Sequence, residues 1–231
     1  MTVEEVKNEI AKGSRVLLLV RHAERPHIDH EDPSFGGDLA LTAEGCRTAR
    51  ELGRMLAGCT AEVDFRASPL NRTVMTAELI AEGMGLGGAE VVRDAEIGNG
   101  GAFMADEREV FELFRDGRFF EKMRDYLEHG IQRGFAPLAA AADLYERHAL
   151  GVFEKRLGIF TTHDIFVAAF LHARGVKTDF CEANWPRFLD TAAIIVDPNG
   201  SRRYAFVEPK LSVLACGVAS TALHAKSKRN K

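Results

Sequence analysis

Val16-Leu17-Leu18-Leu19-Val20, followed at once by Arg21-His22, is the stretch whose reading decides the fold. Five consecutive apolar residues leave no side for water, so the strand they form is buried on both faces, as in a parallel sheet covered by helices. The run ends abruptly, which places Arg21 and His22 at or just past the strand's carboxyl end. In open α/β sheets that edge is where ligands bind.

Around this strand, helical and extended patterns alternate. Val3 to Ile10 reads as a short amphipathic helix, and Pro26 to Gly37 as loop. Thr42 suits a helix N-cap, with Glu44 in the first turn and Cys46, Ala49, Leu52 and Leu56 at helical spacing. Ala61 to Ala67 reads as a strand, Ser68-Pro69-Leu70 as a turn, and Asn71 to Gly83 as a helix with Val74, Ala77, Leu79 and Ile80 inward. A short strand at Glu90 to Arg93 precedes a glycine-rich loop, Ile97 to Gly101. From about Asp106 to Leu150 the periodicity is helical, with no strand signal. Leu157 to Thr162 is again a strand and Ile165 to Arg174 a helix. Ala192 to Val196 and Tyr204 to Val207 form a hairpin across Asp197-Pro-Asn-Gly200. The predicted fold is α/β: a three-layer α/β/α sandwich with a mostly parallel central sheet. It forms a single domain over residues 1–231, with a helical insertion or lid at about 101–150.

Composition narrows the function. Among 231 residues, 46% are apolar and 28% charged, as in a soluble globular chain with one sizeable core. Val16 to Val20 is too short to span a bilayer, and residues 1–15 carry no signal-peptide core. Cys46, Cys59, Cys181 and Cys216 show no CxxC spacing, so they read as reduced thiols rather than zinc or redox ligands. Together these features predict a cytoplasmic protein. A net charge of -4 offers no footprint for nucleic acid, and the basic end, His224 to Lys231, reads as a solvated terminus.

Three separate strand ends deliver chemistry-bearing groups: Arg21-His22, then Ser68 with Arg72 one turn later, then His163-Asp164. Arginines and histidines gathered at one sheet edge suit a dianion such as a phosphoryl group, because guanidinium forks match its oxygens. The helix N-termini after Ser68 and His163 add donors. No Walker or nucleotide fingerprint is present, so the phosphate reads as substrate and no cofactor is expected.

These residues resemble the histidine phosphatase superfamily, with its phosphoglycerate mutase-like and acid phosphatase-like branches. Arg21-His22 resembles that family's opening Arg-His-Gly motif, with Ala23 in place of the glycine. Leu41-Thr42-x-x-Gly45, continuing through Ala49 and Leu52-Gly53, resembles the helix that follows; Ser68-Pro69-x-x-Arg72-Thr73 resembles the second arginine motif, and His163 the second histidine. Arg25-Pro26 is similar to the acid phosphatase pattern of a third arginine, although the proline arrives one residue early. The resemblance implies His22 as nucleophile, with Arg21, Arg25, Arg72 and His163 on the phosphate and no metal. For the proton donor it leaves two candidates. Asp164 stands where the acid phosphatase branch carries its acid, and Glu96 lies in the stretch where the mutase branch carries its own. Glu24 reads as a partner for one of the arginines.

The function expected is hydrolysis of a phosphomonoester through a phosphohistidine, on a phosphorylated small molecule or phosphoprotein, without nucleic acid or membrane partners. A phosphomutase and a non-catalytic phosphate-binding module are the alternatives. Metal-dependent hydrolysis through His22, His27, Asp29 and His30 is a further rival, lacking ligand spacing. The residues that set specificity, Pro26 to Leu39 and about 101–150, match no signature.

Overall fold

The computed structural model describes residues 1–28, 36–98 and 100–211. In chain order, the first half contains α1 (Val3–Ala11), β1 (Arg15–Arg21), α2 (Ala43–Leu56), β2 (Val63–Ala67), α3 (Asn71–Gly83) and β3 (Val91–Arg93). There follow α4 (Glu107–Phe114), α5 (Phe119–His129), α6 (Leu138–Gly151), β4 (Leu157–Thr162), α7 (Asp164–Ala173), β5 (Thr191–Val196) and β6 (Arg202–Val207). The strands form one sheet in the order β3-β2-β4-β1-β5-β6. β1 through β4 run parallel, and only β5 opposes them, since β6 turns back antiparallel to β5.

β1 explains why its sequence is apolar without alternation. Val16, Leu18 and Val20 pack with Val6 and Ile10 of α1 and with Ala49, Leu52 and Leu56 of α2. Leu17 and Leu19 point to the opposite layer, among Tyr145, Phe160, Phe166 and Phe170. Both faces are therefore covered by helices, as the run predicts. The segment about 101–150 supplies α4, α5 and α6, whose buried Val110, Met123, Tyr126 and Tyr145 share one cluster with α7. Within the stretch from about Asp106 to Leu150 read as free of strand, Phe135 forms an isolated bridge with Met104, just before that stretch.

Local chemistry sets the element limits. The Gly45 N–H donates to Thr42 Oγ1 at 2.9 Å, capping α2. β2 begins at Val63 rather than Ala61, where Glu62 N–H instead donates to Thr60 Oγ1 at 3.0 Å. β6 starts two residues earlier than expected, at Arg202, because Gly200 (φ +84°) closes the turn and its N–H donates to Asp197 O at 2.8 Å. Leu79 is half-buried, unlike Val74, Ala77 and Ile80, which face the core. Among the described residues no helix is long and apolar enough to cross a membrane. The basic terminus His224 to Lys231 and part of the Pro26 to Gly37 loop lie outside the described residues.

Candidate active site

The sheet order puts the carboxyl ends of β2, β4 and β1 side by side, and the three motifs meet there. His22 is the first residue past β1; its N–H donates to Thr162 O, the last residue of β4, at 2.9 Å. The ring is 2% exposed, and its Nδ1 lies 2.8 Å from the Ala23 carbonyl oxygen. A carbonyl only accepts, so Nδ1 carries the proton and Nε2 keeps its lone pair. The backbone around it is clamped from two sides. Ala23 N–H donates to Thr76 Oγ1 at 3.0 Å, and Thr42 N–H to Glu24 O at 3.0 Å. Gly45 permits this approach, since a Cβ there would collide with the Glu24 carbonyl. Ala23 is fully buried at negative φ, so its methyl is tolerated where the family's motif has glycine. Glu24 contributes its carbonyl; the ion pair expected with an arginine does not form among the described residues.

Three guanidinium groups surround the histidines. Arg21 Nη2 lies 3.0 Å from Asp164 Oδ2, its Nη1 donates to Pro186 O, and its plane sits 4.4 Å from the centre of the Phe188 ring. Arg72, buried in the first turn of α3, donates from Nη1 to Gly36 O at 2.7 Å, and Arg25 donates to Pro26 O at 2.8 Å. The Nε atoms of all three are buried without a hydrogen-bond partner. Burial lowers the Arg72 pKa to about 10, and Arg25 and Arg21 add to the effect. Burial likewise lowers Arg25, with Arg21 contributing.

The same field acts on the imidazoles, whose ring centres are 5.5 Å apart. Burial first, then His163, Arg21 and Arg72, hold His22 well below its ordinary pKa, so it is neutral at physiological pH. Burial and the arginines lower His163 too. Its proton can be placed by counting donors. Thr73 gives its one hydroxyl proton to Ser68 O or Leu70 O, at 2.7 and 2.6 Å. The Ser68 hydroxyl must then donate to Thr73 Oγ1 at 3.1 Å, which leaves Ser68 Oγ to accept from His163 Nε2 at 2.9 Å.

The two candidate acids sit differently. Asp164 opens α7 and pairs with Arg21; burial pushes its carboxyl up, but Arg21 and His163 outweigh burial and hold it below the usual range. Glu96 lies in a 3-10 turn, Ala95–Ile97, and is exposed. Its loop is bound to the same strand ends, because Thr162 Oγ1 and Tyr145 OH both donate to Ile97 O and Gly98 lies against Ser68. The Glu96 carboxylate itself makes no hydrogen bond or ion pair with the arginines or histidines of the site. The structure thus gathers Arg21, His22, Arg25, Arg72, His163 and Asp164, and leaves Glu96 at the rim. Of the rival metal set, Asp29 and His30 lie outside the described residues. The sequence pattern gave no role to Thr76, which steadies the turn after His22, or to Phe188, whose ring centre is 5.7 Å from that of His22.

A helix-covered, mostly parallel sheet with a neutral histidine among guanidinium groups at its strand ends defines an α/β/α protein with a cationic cluster at that edge. Residues 17–116 match the sequence profile of the histidine phosphatase superfamily (branch 1). No curated protein is similar to it in sequence. Among solved structures, a mutant phosphoserine phosphatase from Entamoeba histolytica in complex with phosphoserine is 17% identical, with a TM-score of 0.55, over 83% of this chain and 96% of that one. Phosphoglycerate mutase from Bacillus anthracis is 12% identical, with a TM-score of 0.55, over 82% and 91%. Mycobacterial glucosyl-3-phosphoglycerate phosphatase is 17% identical, with a TM-score of 0.50, over 84% and 97%. At these identities the likeness is one of fold.

Proposed function

We propose that the chain is a metal-independent phosphomonoesterase that carries its substrate's phosphoryl group on His22 Nε2 before passing it to water. The observation that carries this reading is the hydrogen bond from His22 Nδ1 to the Ala23 carbonyl, which leaves Nε2 unprotonated in the field of Arg21 and Arg72. Among the described residues, three arginine charges less the one carboxylate paired with Arg21 leave two positive charges, the complement of a phosphoryl dianion. Arg21, Arg25 and Arg72 hold the phosphoryl oxygens and stabilise charge in transfer, which is the work a metal ion would otherwise do.

In the first step the Nε2 lone pair forms an N–P bond as the ester P–O bond breaks, and the leaving alkoxide takes a proton from a carboxylic acid. In the second, water attacks phosphorus, its proton goes to the same carboxylate, and the N–P bond breaks to release phosphate. Asp164 is the donor we favour. Arg21 keeps it ionised, and a bound dianion that shares Arg21 raises its pKa. The substrate is a phosphorylated small molecule or phosphoprotein, and the free thiols of Cys46, Cys59 and Cys181 suit a reducing, cytoplasmic setting.

Rapid quench with a panel of phosphorylated metabolites, sugar phosphates and phosphopeptides tests the proposal. We expect acid-labile labelling of the protein and release of inorganic phosphate, both surviving chelation and both abolished by His22→Ala. An active His22→Ala variant would overturn the reading, and an isomeric product in place of phosphate would make the chain a mutase.

A further inference from the structure

The connection between α7 and β5 brings an aromatic arm to the nucleophile. At its base Trp185 packs edge to face on Phe119 and Phe120 of α5 and on Phe180, with ring centres 5.4, 5.8 and 5.7 Å away. Three residues on, the half-buried Phe188 ring lies 4.4 Å from the Arg21 guanidinium and 5.7 Å from the His22 ring. The backbone that delivers it is unusual. Leu189 has φ +67°, the one positive φ outside glycine among the described residues. A branched side chain resists that conformation, which persists where the surroundings over-determine it. Here the surroundings are the end of β1 itself. Leu189 N–H donates to Arg21 O at 3.2 Å, Arg21 N–H to Asp190 O at 3.0 Å, and the Asp190 carboxylate accepts from Arg187 N–H at 2.7 Å.

We propose that Phe188 is a specificity-determining residue, and that the preferred substrates are phosphomonoesters whose alcohol carries a flat apolar ring. The inference rests on the phosphohistidine reading. If Arg21 and His22 both touch the phosphoryl group, whatever is esterified to it passes within reach of a ring that lies against both. A polyol there loses water from its hydroxyls against hydrocarbon and finds no replacement partner. A flat ring gains apolar burial and aromatic contact.

Comparing 2-phenylethyl phosphate with ethyl phosphate isolates the effect, because both release a primary alkoxide and only one carries a ring. We expect the protein to favour the phenylethyl ester about tenfold in kcat/KM, chiefly through KM. Phe188→Ala should remove most of that preference, Phe188→Tyr should retain it, and Phe188→Leu, which keeps the bulk without the flat face, should fall between. A preference that is absent from the wild type, or identical in wild type and Phe188→Ala, overturns the inference while His22 labelling by both esters leaves the phosphohistidine intact. If neither ester labels His22 and no phosphate is released, the phosphohistidine reading fails and this inference fails with it.

Discussion

A histidine that cannot gain a proton is a nucleophile at neutral pH, and at His22 burial and the arginines together impose that state. The arginines create a second problem at the leaving group, because the field that keeps His22 neutral also keeps Asp164 ionised. In the proposed reaction Asp164 would therefore serve as an acid only once the substrate's negative charge has arrived. For that residue we expect Asp164→Asn to slow hydrolysis of an alkyl phosphate by roughly 10²- to 10⁴-fold. p-Nitrophenyl phosphate, whose leaving group barely needs a proton, should be affected far less. Glu96→Gln should treat the two esters alike. The reverse pattern, with Glu96→Gln sensitive to the leaving group and Asp164→Asn not, would make Glu96 the acid and Asp164 the counter-ion that orients Arg21. Steady-state kinetics on both esters decides between them. Arg21, His22, Arg72 and His163-Asp164 are legible in the chain because each follows or closely trails a buried strand. Phe188 is not, because its neighbours His22 and Arg21 are more than 160 residues away in sequence and the turn that aims it depends on an unfavourable backbone angle at Leu189.

At the scale of elements, α2 acts as a wall that fixes the turn from His22 to Arg25. Thr42 caps the helix and its N–H holds Glu24 O, while Gly45 lets that carbonyl lie against the helix. Alanine is favoured over glycine in a helix interior by about 1 kcal/mol, so on propensity alone Gly45→Ala should stabilise the protein. The added Cβ collides with a main-chain oxygen, which cannot swing aside as a side chain can. We expect a net loss of roughly 1–3 kcal/mol in urea unfolding, with kcat falling because the nucleophile's turn is displaced. A more stable and fully active variant would show that the turn has room to retreat. Helices and strands were readable from periodicity and caps, with α3 and β4 found at the limits expected for them. Close approaches such as Gly45 to Glu24 and Gly98 to Ser68 were not, because local pattern says nothing of which distant backbone will arrive.

For the whole molecule, strand order turns three remote sequence segments into one site. β4 lies between β1 and β2, so the ends that carry His22, Ser68 and His163 are adjacent although the segments span more than 140 residues. A site of this kind stores unfavourable energy: the guanidinium groups of Arg21, Arg25 and Arg72 repel one another, and their buried Nε atoms have no hydrogen-bond partner among the described residues. A bound dianion relieves that repulsion and ties β1, α3 and α7 together, so binding should appear as global stability. Inorganic phosphate at about a hundred times its Kd should add ~2.7 kcal/mol. For a chain of this size that corresponds to a Tm rise of roughly 5–10 °C, read by calorimetry at matched ionic strength. Arg72→Ala should abolish most of the shift. Without phosphate the same variant should melt no lower than the wild type, since it removes one of three mutually repelling cations at the expense of a single hydrogen bond to Gly36 O. An equal phosphate shift in both proteins would mean that the anion binds elsewhere. A much lower Tm for unliganded Arg72→Ala would mean that the arginine is held for folding rather than for binding an anion.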